Sequence, residues 1–155
     1  EGGLACTIAG LKKLCSMIAN IPVKLALEPH IGTQIQEASD YEEIFKHITT
    51  EQIGITVDTG HFHAAGVDWK VIIRRYPERI YNIHLKDHIG RQSVPLGTGE
   101  IDLPGLVKEL DAIDYDGALA VELEVVDREN LPRYVGEAYR YTRNLINALP
   151  GQKYT

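Results

Sequence analysis

Apolar positions along the chain follow two rhythms. Leu4, Ile8, Leu11, Leu14 and Ile18 fall on one side of a helix running from Leu4 to Ala19. The strand-length run Val23-Lys24-Leu25-Ala26-Leu27 comes next and ends at Glu28. Ser39, with Glu42 three residues later, predicts a capping box and a second helix reaching about Thr49. Ile53-Gly-Ile-Thr-Val57 reads as another buried strand, ending at Asp58, and Val67 to Arg79 as a helix. A third strand, Ile80 to Leu85, contains His84 and leads into a long glycine-rich loop from Lys86 to about Leu103. Pro104 belongs in the first turn of a helix that reaches Ile113. Ala118 to Val121 is a fourth strand, ending at Glu122, and Leu131 to Leu149 a long last helix.

Strands and helices thus alternate as α-βα-βα-βα-βα. Continuous apolar strands separated by helices imply a parallel sheet covered by helices, in an α/β protein of one domain over residues 1–155. The first strand lacks the glycine-rich turn of a dinucleotide site. Composition narrows the field further. A net charge of −6 without a basic patch speaks against a nucleic-acid partner. The longest apolar runs are of strand length, so no membrane span is expected. The opening Glu-Gly-Gly lacks a signal-peptide pattern. Cys6 and Cys15 lie on roughly opposite faces of the first helix, cannot easily pair, and read as reduced thiols of a cytoplasmic protein.

Candidate chemistry sits at the strand ends, where parallel α/β folds build their sites. Each strand carries a possible metal ligand there: Glu28, Asp58, His84 and Glu122. Three carboxylates and one imidazole suit Mn²⁺, Mg²⁺ or Co²⁺, with Zn²⁺ possible. Each residue also has a plainer reading. Glu28 could face solvent, Asp58 could cap the next segment, and His84 could be a hydrogen-bonded core residue. Glu124 competes with Glu122 because it shares a strand face. Around these four, His61, Lys86 and Arg91 are placed to contact a substrate. His30, His63 and His88 read as surface or supporting residues. The Gly97-Thr-Gly99-Glu100 segment reads either as a phosphate cradle or as a tight turn.

The ordered set of stretches Leu25-Ala-Leu-Glu28-Pro-His30, Val57-Asp58-Thr-Gly-His61, Ile83-His84-Leu-Lys-Asp87, Gly97-Thr-Gly-Glu100-Ile-Asp102 and Asp116-Gly-Ala-Leu-Ala-Val-Glu122 resembles the xylose isomerase-like TIM-barrel superfamily. The resemblance implies a (β/α)₈ barrel, with the present strands as its fifth to eighth. It implies Glu28, Asp58, His84 and Glu122 as ligands of one divalent cation, His61 and Arg91 as substrate contacts, and Glu28 and Glu122 as acid/base residues. A whole barrel takes about 250 residues. The chain therefore corresponds to the second half only, completed by a missing N-terminal half or by homo-oligomerisation. The activity expected is that of a metal-dependent sugar or sugar-phosphate isomerase/epimerase, moving a proton through an enediolate. The His-Leu-Lys-Asp stretch looks more like the inosose dehydratase branch, so dehydration of a keto-polyol is the alternative. A metal-binding half barrel without turnover is a third reading. Endonuclease chemistry is disfavoured, because the extra Asp-x-His pair of a multi-zinc site is not apparent. The partner expected is a small sugar or polyol, with no nucleic acid and no membrane.

Overall fold

A computed structural model describes residues 3–149; the ends of the expected domain, 1–2 and 150–155, lie outside the described residues. Its elements are α1 (Leu4–Ile18), β1 (Leu25–Leu27), α2 (Ala38–His47), β2 (Ile53–Asp58), α3 (Thr59–Ala65), α4 (Trp69–Arg75), β3 (Ile80–Leu85), β4 (Asp87–Ile89), β5 (Gln92–Val94), α5 (Leu103–Ala112), β6 (Leu119–Val121) and α6 (Leu131–Asn147). Four strands form one parallel sheet in the order β1-β2-β3-β6, while β4 and β5 make a separate antiparallel hairpin. Among the described residues the sheet is open, with β1 and β6 at its edges.

Side-chain alternation sorts the sheet into two faces. Ile53, Ile55 and Val57 of β2, with Ile83 and Leu85 of β3, are fully buried and join the core with Tyr41, Ile44, Phe62, Ile72, Leu103 and Leu106 of the helices. The opposite face carries smaller or polar residues, among them Gly54, Thr56, Asn82 and Ala120. A β-bulge sets which residues go where. Ile55 pairs with Ile80, but Thr56 pairs with Asn82, leaving Tyr81 as an extra residue in β3. A one-residue slip reverses every later side chain. After Tyr81, therefore, Asn82 and His84 share the face of Asp58, whose register partner is His84.

Several expectations require correction. Helix α2 begins at Ala38 rather than after Ser39. A capping box does form, but between Glu37 and Asp40: the Glu37 side chain accepts from the Asp40 backbone N–H, and the Asp40 carboxylate accepts from the backbone N–H groups of Gln36 and Glu37 at 2.9 and 2.8 Å. The helix expected over Val67 to Arg79 runs only from Trp69 to Arg75 and gives way to a 3₁₀ turn at Pro77–Arg79. Pro77 removes an N–H donor and crowds the residue before it, so the helix stops. The segment between Asp58 and Val67, for which no periodicity predicts an element, forms α3, and the long loop after Lys86 contains the β4–β5 hairpin. Gly90 takes a φ of +56° at the tip of that hairpin, a conformation glycine adopts without penalty. Cys6 and Cys15 on α1 are free thiols. No helix among the described residues is long and apolar enough to cross a membrane.

Candidate metal centre

The four predicted strand-end residues meet at one end of the sheet. Asp58 closes β2, with His84 beside it in the register of β3. Glu28 and Glu122 lie one residue beyond the ends of β1 and β6. The Tyr41 hydroxyl donates to the carbonyl of Leu27 at 3.1 Å and pins the first of these ends. The N–H of Glu122 donates to the carbonyl of Leu85 at 3.0 Å and extends the β3–β6 pairing by one residue. His84 Nδ1 stands 2.8 Å from Glu28 Oε1, 3.1 Å from Glu122 Oε1 and 3.6 Å from Asp58 Oδ2. One ligand atom from each of these four residues lies within 4.8 Å of the others.

Asp58 caps the segment that follows it and also turns its second carboxylate oxygen to the cluster. Its Oδ1 accepts from the backbone N–H of His61 at 2.8 Å, capping α3. Its Oδ2 is buried without a hydrogen-bond partner and lies 3.2 Å from the ammonium of Lys86. A fully buried carboxylate oxygen whose one close neighbour is an ammonium, with two further carboxylates and an imidazole around it, fits a divalent cation. For Nδ1 of His84 to give its lone pair to a cation, its proton must sit on Nε2. The carboxamide of Asn82, 2.9 Å from Nε2, can accept that proton's hydrogen bond through its oxygen. Asn82 was not singled out from the sequence. Its position two residues before His84, hence on the same strand face, was the available signal.

Lys86 is 2% exposed and lies among carboxylates, with Nζ 2.9 Å from Glu122, 3.2 Å from Asp58 and 3.2 Å from Glu124. Burial alone would lower its pKa. The hydrogen bonds and charges of Glu122, Asp58 and Glu124 outweigh burial and hold it protonated, well above the ordinary lysine range. Thr59 fixes the backbone here: its Oγ1 donates to the Lys86 carbonyl at 2.7 Å and accepts from the Lys86 N–H at 2.8 Å. His61 reaches the same ammonium, with Nε2 3.4 Å from Nζ, and its ring lies 4.1 Å from that of His30, tilted by 42°. Burial lowers the His61 pKa below its ordinary value. Glu124 touches Lys86 but contributes no ion pair to His84, which separates it from Glu122.

The glycine-rich segment is occupied from within. Asp87, 2% exposed, accepts from the backbone N–H groups of Gly97 and Gly99 at 2.9 and 2.8 Å through Oδ2, and from those of His88 and Ile101 at 3.0 and 3.3 Å through Oδ1. A carboxylate thus sits where the phosphate-cradle reading required a ligand, and the turn reading holds. This anchoring supports the β4–β5 hairpin, whose tip carries Arg91, exposed and bordering the same cavity as His61 and Glu124. His63 pairs with Glu100 at 3.4 Å. His88, read as a surface or supporting residue, sits on β4 of the hairpin and is buried.

The chain is similar to known proteins in sequence and, to others, in fold. The inosose dehydratase of Mesomycoplasma hyopneumoniae is 32% identical over 160 residues, 89% of this chain and 53% of that protein. The chain spans about half the length of the curated relatives it matches. Among solved structures, the IolI protein with a bound zinc atom superposes with a TM-score of 0.81 at 22% identity, over 96% of this chain and 58% of that one. An L-ribulose 3-epimerase superposes at 0.72 and 22% identity, over 93% and 54% of the two chains. At these identities the likeness concerns the fold. The model of the family described as xylose isomerase-like TIM barrel matches residues 1–145, and the chain belongs to that family.

Proposed function

We propose that this chain carries the metal centre of an enzyme that removes a proton beside the carbonyl of a keto-polyol. The convergence of Glu28, Asp58, His84 and Glu122 on one point carries the reading. These four would be the ligands of a divalent cation, which when bound acts as a Lewis acid on the substrate oxygens. The zinc of the IolI structure supports a divalent ion, and the donor set also accepts Mn²⁺, Mg²⁺ or Co²⁺. Glu28 and Glu122 are the more exposed carboxylates of the set, and one of them takes the α-proton. Lys86 keeps its proton and presents a fixed positive charge to the oxyanion that develops. His61 and Arg91 bind substrate hydroxyls.

From the enolate two outcomes are open, and dehydration is preferred. The β-carbon loses its hydroxyl, the carbon–carbon double bond forms, and the carboxylic acid returns its proton to the departing oxygen, which leaves as water. The inosose dehydratase relatives support this outcome. Epimerisation is the second reading. It is favoured by the placement of Glu28 and Glu122 within 2.8 and 3.1 Å of one imidazole nitrogen, where one removes a proton and the other returns it. Incubation with inosose and Mn²⁺ in D₂O distinguishes them by mass spectrometry. Dehydration gives loss of water and an absorbing product, whereas epimerisation conserves the skeleton and incorporates deuterium. Unchanged inosose and ketose panels at every metal tested would overturn the enzymatic reading.

The unit is further read as the second half of an eight-stranded barrel. Its open edges and its span of about half its relatives support this. So do exposed apolar residues, Val135 and Tyr139 of α6 beside β6, and Met17 and Ile21 in the chain before β1. An N-terminal half or a second copy would cover them.

A further inference from the structure

On the Lys86 side of the metal centre, a cavity of about 270 Å³ lies between α3 and the β4–β5 hairpin. His61 lines it from α3, and His88, Arg91 and Ser93 line it from the hairpin. Glu124 completes the wall and shares Lys86 with the metal centre, as His61 does. Two of its wall residues thus touch the ammonium that also pairs with Asp58 and Glu122, so the cavity lies one side chain away from the proposed reaction site.

Two polar side chains in this wall have no hydrogen-bond partner within the protein. His88 is 6% exposed with both ring nitrogens unpaired, and Ser93 is 8% exposed with an unpaired hydroxyl. The two are register partners across the hairpin, so they share one face of it. Buried polar groups are nearly always satisfied, and two unsatisfied neighbours in one cavity wall mark a place where a ligand supplies the missing bonds. The His88 ring is held in place on both sides. The ring of His63 meets it edge-on at 6.3 Å, and a Cβ on Gly60 would lie only 2.6 Å from its Nε2. Burial, then the charges of His63 and Lys86, lower the His88 pKa, so the ring is neutral and offers one donor and one acceptor.

This mixture of groups identifies a ligand chemistry. A neutral imidazole and a serine hydroxyl each give and take hydrogen bonds, Arg91 only gives, and Glu124 only accepts. Hydroxyl groups, which do both, match such a lining. A phosphate accepts only and would face the Glu124 carboxylate, while the nearby Gly97 and Gly99 amides are already taken by Asp87. We propose that the cavity binds the uncharged, hydroxylated end of the substrate, and that His88 and Ser93 are specificity-determining residues. This inference rests on the keto-polyol reading above.

Isothermal titration of the full-length, Mn²⁺-loaded protein with inosose tests it, alongside titration of the metal-free protein with Mn²⁺ alone. Ser93→Ala should weaken inosose binding about fivefold to tenfold, the loss of one neutral hydrogen bond. His88→Ala should weaken it further, and both variants should bind Mn²⁺ within about twofold of the parent, since neither residue is among the proposed ligands. Unchanged inosose affinity in Ser93→Ala and in folded His88→Ala overturns the assignment of the cavity while leaving the metal centre intact. A parent protein that binds Mn²⁺ but no inosose overturns the keto-polyol reading, and the inference with it. A larger loss for ribulose 5-phosphate than for inosose overturns the uncharged end. Should His88→Ala fail to fold, Ser93→Ala decides alone.

Discussion

The inner and outer strands of the sheet contribute to the same site under different physical conditions. β2 and β3 are six residues long and paired on both sides; β2 ends in Asp58 and β3 runs directly into Lys86, and these two are 0% and 2% exposed. β1 and β6 are three residues long and lie at the edges, and the side chains beyond them, Glu28 and Glu122, keep 40% and 35% exposure. A buried ion pair is held by its surroundings and is costly to break. An exposed carboxylate is cheaper to move and to protonate. On the proposed function, this difference divides the labour: the centre of the sheet fixes charge and its edges supply the groups that exchange protons.

The most demanding test of that division is Glu122→Gln. Loss of this proposed acid/base carboxylate should cut turnover about 10³-fold, while stability in urea falls by about 1 kcal/mol, because Asp58 and Glu124 still pair with Lys86. Equal damage to both would erase the distinction. Lys86→Met probes the inner strands. It leaves Asp58 buried without its ammonium, and the metal-free protein should lose about 3 kcal/mol of unfolding free energy. Added Mn²⁺ should narrow that loss, since a cation beside Asp58 does the same electrostatic work. A smaller effect is expected for Gly60→Ala, whose Cβ would lie 2.6 Å from His88 Nε2 and 2.8 Å from Lys86 Cβ. Overpacking there should cost about 1–3 kcal/mol. Gly10→Ala, in open space on α1, should stabilise by about 0.5–1 kcal/mol.

The gentlest test is pH. The folded-state pKa of His88 lies below its ordinary value of 6.5, so below that value the unfolded chain binds more protons than the folded one. Stability should be complete above about pH 6.5 and fall on acidification, with a shallower slope in His88→Gln. A thermal-unfolding series across pH reads both curves; identical slopes would remove His88 from the account.

Much of this arrangement was legible along the chain. The alternation of apolar strands and amphipathic helices announced a parallel sheet, and Glu28, Asp58, His84 and Glu122 were readable as strand-end groups. Elements held by distant contacts were harder to read. α3 begins with Thr59-Gly60, a weak helix start, yet the Asp58 cap, the burial of Phe62 and the Thr59–Lys86 hydrogen bonds sustain it. The hairpin lacks clear alternation of apolar residues, and Asp87 organises the segment behind it by engaging amides ten and twelve residues away. Lys86 was read as a substrate contact, and the structure shows it also bound to three carboxylates from β2 and the end of β6.

The sequence by itself determined the order of the elements, the apolar face of each helix and the residue types at the strand ends. These follow from local periodicity and side-chain chemistry. Tertiary structure alone decided that the four ends converge. Strand parity counted from Ile80 would have turned His84 toward the helices, and the bulge at Tyr81 turns it toward Asp58. That bulge is defined by pairing with β2, some 25 residues away in the chain. The direction of a strand side chain depends on its neighbour's register, and no local pattern carries that information.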